Sequence, residues 1–154
     1  MKALLLLPAL VVLVLSLPAT AAEPATKKEP ATVAFVKKLY KAHDSDQGPL
    51  SENTMTSLSK WFDPSLSAVL FKAVSDDEMA IDFDPFYSGQ DREITGLKIV
   101  QEVNHDDIEA SVLVTFKNFG EPHSLRLHLS NTEHGWRVSN VIYETNDLRS
   151  IVSR

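Results

Sequence analysis

Cysteine is absent from all 154 residues. No disulfide can staple the fold, no thiolate can ligate zinc or attack a substrate, and no lipid can be attached through a cysteine. Small secreted animal domains usually lean on disulfides, so a cysteine-free exported chain fits a bacterial periplasm better. Asn-X-Ser/Thr glycosylation acceptors are also missing. Basic residues are in the minority, 15 against 21 acidic, for a formal net charge of −6. That balance repels phosphate backbones and argues against a nucleic-acid partner.

Long apolar runs are equally scarce, with one exception. The chain opens "MKALLLLPALVVLVLSLPATAAEP", in which Lys2 precedes an apolar run from Ala3 to Leu17 and the small-residue pattern Ala19-Thr20-Ala21. This is the pattern of a secretory signal peptide, residues 1–21, with cleavage expected after Ala21. A membrane span needs about 20 apolar residues, and Pro8 and Pro18 interrupt or bound this run, so no stable membrane anchor is expected after cleavage. The expected location is periplasmic or secreted. Residues 22–30, rich in proline and lysine, read as a short tether, and 31–154 as a single domain. About 130 residues can bury some two-thirds of their unfolded surface, enough for a core without covalent help.

Within that domain the hydrophobic period changes once. Val33, Val36, Leu39, Tyr40 and His43 recur at helical spacing behind Pro30, and "HDSDQGPLSEN" ends that helix. A short helix is predicted over Thr54 to Trp61. Asp63-Pro64 then supplies an N-cap and first-turn proline for a helix carrying Leu66, Val69, Leu70, Ala73 and Val74. Beyond residue 91, "LKIVQEVN", "IEASVLVTFKNF", "HSLRLHLSN" and "WRVSNVIYE", separated by "HDD", "GEP" and "TEHG", predict a four-stranded antiparallel meander. "NDLRSIVSR" predicts a terminal helix capped by Asn146. The fold class is α+β, with N-terminal helices packed on the meander.

The segments "LSKWFDPSLS", "DFDPF" with "QD" four residues on, and "GWRVSNVIY" followed by "LRSIV" resemble bacterial secreted proteins of domain-of-unknown-function family 3828, within the nuclear-transport-factor-2-like superfamily. The resemblance runs from about Phe35 to Val152. It implies a curved sheet wrapped around helices as a cone, often with a pocket at its open end. It implies no activity, because that superfamily holds isomerases and dehydratases beside inert binding and dimerisation modules.

Candidate sites gather first in "DFDPFYSGQD". Asp82, Asp84 and Glu93 match positions one, three and twelve of a calcium loop, but Phe86 stands where an oxygen ligand belongs and Tyr87 where the turn needs glycine. No metal and no cofactor are therefore expected. Ser88-Gly89 lacks the Gly-X-Ser-X-Gly elbow of a hydrolase, and the "HDD" turn lacks companion histidines. A lone acid-base residue needs no motif, which keeps Asp82, Asp84, Asp91 and His128 as candidates. Asp82, Asp84, Phe86, Tyr87 and Asp91 form the expected pocket margin, with Phe83 and Phe86 deciding where the segment packs. Strand parity places Lys98, Thr115, Lys117, Arg126, His128 and Arg137 on the sheet face away from the helices, a candidate docking face for an acidic partner. The expected function is a non-enzymatic binding protein that recognises a protein partner or a small ligand, or forms a homodimer. The alternative is a small isomerase- or hydrolase-type enzyme with one Asp or His as acid-base.

Overall fold

The apolar spacing behind Pro30 produces α1, Ala31–Asp44, in a computed structural model that describes residues 28–75 and 81–153. The expected signal peptide, its cleavage point and most of the tether lie outside the described residues. Val33, Val36, Leu39 and Tyr40 bury one face of α1. Thr32 joins them and donates to the Gln101 side chain at 2.6 Å, tying the helix to the sheet.

The second helix is shorter than its apolar spacing suggests. α2 spans only Met55–Leu58, opened by a capping box between Thr54 and Ser57. Trp61 and Phe62 leave the helix because their backbone is claimed elsewhere. The Val138 N–H donates to the Trp61 carbonyl at 2.8 Å, and the Asp63 N–H donates to the Val138 carbonyl at 2.9 Å. α3, Pro64–Ser75, then starts as expected, with Asp63 accepting from the Leu66 N–H at 2.7 Å.

The meander comprises β1 (Ile94–His105), β2 (Glu109–Asn118), β3 (Glu121–Thr132) and β4 (Gly135–Ile142), hydrogen-bonded in sequence order and antiparallel throughout. Asp106 and Asp107 form one hairpin turn and Phe119-Gly120 the next, all at positive φ, the mirror-image geometry that matches strand twist. Register shifts interrupt β1 between Thr95 and Lys98 and between Gln101 and Val103, and the β3/β4 pair between His128 and Leu129. Such bulges bend strands and sharpen their twist.

One buried cluster joins Val112, Val114, Phe116, Leu125, Leu127, Leu129, Val138 and Val141 to the apolar faces of the helices. α4, Leu148–Val152, follows β4, and its cap is Asp147 rather than Asn146. The Asp147 carboxylate accepts from Ser150 and also from the Asn140 side chain at 2.9 Å, an anchor that Asn146 lacks. No helix among the described residues is long and apolar enough to cross a membrane.

Candidate functional site

The segment Asp82 to Asp91 crosses from the helices to β1 and closes on itself. The Asp84 N–H donates to the Gly89 carbonyl at 2.8 Å, and Ser88, at φ 54°, donates back to the Asp84 carbonyl at 2.8 Å. Asp84 Oδ1 accepts the Phe86 and Tyr87 N–H groups at 2.9 and 3.2 Å. Pro85 brings no N–H to compete for this turn, and it biases Asp84 away from helix. Locally, then, the sequence specifies a tight loop pinned by one carboxylate.

Aromatic contacts from Phe86 and Tyr87 seat the loop on the core. Phe86, fully buried, stacks on Phe62 and meets Tyr40 and His43 edge-on. Tyr40 donates to the Phe86 carbonyl at 2.9 Å and Tyr143 to the Pro85 carbonyl at 3.0 Å. Tyr87 packs against Phe116 and Tyr40, and its hydroxyl donates to Asp44 Oδ1 at 2.8 Å. Burial, followed by the Asp44 hydrogen bond and charge, pushes the Tyr87 hydroxyl well above its ordinary pKa, so it stays a proton donor.

The second Asp84 oxygen faces α1. His43 Nε2 lies 2.7 Å from Asp84 Oδ2, with both side chains largely buried. Arg92 Nη1 stands 3.5 Å from Asp84 and 3.6 Å from Asp44, with the guanidinium 5.6 Å from the Tyr87 ring centroid. Burial of Asp84 opposes ionisation, yet His43, the Phe86 N–H and Arg92 together outweigh it and hold the carboxyl below the usual range.

Two clefts flank the turn after α1. The smaller, about 460 Å³, is lined by His43, Asp46, Leu50, Asp84, Gln90 and Arg92. The larger, about 750 Å³, lies against Lys38, Lys41, Gln47, Glu52, Lys60 and Trp61. Gly48 borders both, and only glycine fits there, since an added Cβ would fall 2.4 Å from the His43 Cα.

The expected site residues therefore separate. Asp84, Phe86 and Tyr87 come together, Phe86 and Tyr87 as core and Asp84 at the cleft. Asp82 and Asp91 are exposed, and the loop exit is instead clamped by Asn118, which donates to the Asp91 carbonyl and accepts from the Glu93 N–H. His43, Asp44 and Arg92 complete the cluster without having been read as site residues. His43 fell within the apolar stripe of α1 and Asp44 within a turn; no spacing relates either to a loop 40 residues on.

On the sheet, Lys98, Lys117, Arg126 and His128 share the outward face. Lys98 sits opposite Thr115, and Arg126 sits between Leu113 and Ile142. Arg126 makes a bidentate pair with Glu102 at 2.5 and 3.1 Å. Arg137 turns instead to the Ser59 carbonyl at 2.9 Å and bridges β4 to the end of α2. Among the described residues no three His, Cys, Asp or Glu side chains are grouped to hold a metal ion.

No protein-family model and no curated protein matches the chain. Among solved structures, a phospholipid-binding protein from Ralstonia solanacearum, determined in complex with a phospholipid, is similar at 19% identity and a TM-score of 0.37. The similarity covers 58% of this chain and 49% of that one, so the chain spans about half its length. A likeness this distant bears on neither fold nor ligand.

Proposed function

We propose that the protein is a non-enzymatic binding module, exported to the periplasm, with its ligand or partner seated at the clefts flanking Gly48. The α+β arrangement of helices on a bulged meander supports a nuclear-transport-factor-2-like cone of the family 3828 kind. One observation carries the reading against catalysis: both oxygens of Asp84 are already engaged. Oδ1 holds the loop through two backbone N–H groups, and Oδ2 meets His43. A general base needs a lone pair within reach of substrate, and three of the roughly four acceptor positions of this carboxylate already serve the loop and α1.

A second reading rests on the same contact. A histidine held by a carboxylate at the wall of a cleft is also how an imidazole base is oriented, with Asp84 as the positioning residue. Affinity capture separates the two. Immobilised chain is incubated with an envelope extract and challenged with excess free chain. Specific, competable retention of a ligand or partner supports the binding module. A turnover that disappears in His43→Ala supports the enzyme and contradicts the module.

A further inference from the structure

The larger cleft has a chemistry of its own. Trp61 lines it and is only 8% exposed, its ring backed by Phe35 at 6.3 Å between centroids. Around it stand Lys38 and Lys41, one turn apart on α1, and Lys60 just beyond α2. Asp46 and Glu52 also line the cleft, yet none of these lysines has a carboxylate within 4.0 Å among the described residues. Three lysines without an ion-pair partner among the described residues thus outnumber the two acidic side chains of the same cleft, whose apolar lining is Trp61 and Ala42. The volume, about 750 Å³, lies in the range of small-molecule sites.

We propose that this cleft binds a small amphiphilic anion, with its apolar body against Trp61 and its carboxylate or phosphate head among Lys38, Lys41 and Lys60. The proposal rests on the binding-module reading and adds the ligand class. Lysine suits the task because its ammonium is a compact, mobile point charge that can follow either head group.

The chain contains two tryptophans, so Trp136→Phe leaves Trp61 as sole reporter. Emission is followed as dodecanoate or dodecyl phosphate is added below its micelle concentration. Calorimetry on the parent chain guards against any disturbance from the Trp136 change. Dodecanol, dodecyltrimethylammonium and inorganic phosphate are the comparison probes. The expected result is saturable binding of both anionic amphiphiles, weakened at least tenfold by Lys41→Glu with Lys60→Glu and unaltered by Lys72→Gln, an exposed α3 position outside both clefts, while the comparison probes bind at least tenfold more weakly. Equal binding of the alkyl cation or of dodecanol overturns the role of the lysines, and equal binding of inorganic phosphate overturns the apolar seat. Absence of saturable binding, or full affinity in the charge-reversed variant, overturns the proposal outright. If affinity capture still yields a specific ligand or partner, the module stands and only this ligand class fails.

Discussion

Phe86 and Asp82 lie four positions apart in one loop and differ completely in what they do. Phe86 is wholly enclosed by Phe62, Tyr40 and His43, whereas Asp82 is exposed. Truncation of a core aromatic leaves a cavity, so Phe86→Ala is expected to cost about 3–5 kcal/mol in urea melts, and Asp82→Asn no more than about 0.5 kcal/mol. Asp84 adds a pH signature. Its pKa is lower folded than unfolded, where a free aspartate titrates near 3.9. Its contribution is thus fully present above about pH 4 and is lost as pH falls through the folded value. The stability gap between parent and Asp84→Asn is expected to be largest near neutrality and to shrink on acidification below pH 4; a gap that widens there contradicts the assignment. At this scale the sequence was legible where chemistry is local. Pro85 and the flanking phenylalanines announce a packed turn, but nothing local to His43 announces a partner 41 residues away.

Elements were more legible than their interruptions. Alternation in Leu125, Leu127 and Leu129 gives the face of β3 directly, and the Asp63-Pro64 pair gives the start of α3. β4 breaks the alternation: Val138 and Val141 are both fully buried though three residues apart, because the register shifts opposite His128. A bulge of this kind has no residue signature here. α2 ends early for a tertiary reason, the Trp61 to Asp63 backbone pairing with β4. Asp63 also receives Arg149 Nη2 from α4 at 3.2 Å, so one carboxylate caps α3 and ties down α4. Asp63→Ala is expected to lose about 1–2 kcal/mol as a helix cap, with a further loss shared with Arg149→Ala. A double-mutant cycle by urea unfolding checks this, and strict additivity of the two changes would refute the shared tie. The exposed Arg126–Glu102 pair is a different case. Arg126→Glu with Lys117→Glu should move stability by no more than about 1 kcal/mol, since exposed ion pairs contribute little, and the same melts decide it.

At the scale of the whole molecule, the order of helices and then meander was readable because the hydrophobic period changes from helical to alternating once along the chain. The convergence of α1, the Asp84 loop and β2 was not readable, since it depends on which faces meet. That convergence is central to the proposed function, in which Asp84 is a structural clamp and the ligand or partner sits in the clefts beside it. The most direct test is equilibrium urea unfolding of Asp84→Asn, combined with retention of the captured ligand or partner by the folded variant. The expected outcome is a loss of about 1–3 kcal/mol of stability, as for a buried polar group that loses its partners, with retention preserved. A variant that melts like the parent yet no longer retains the ligand would contradict it and make Asp84 part of the site itself.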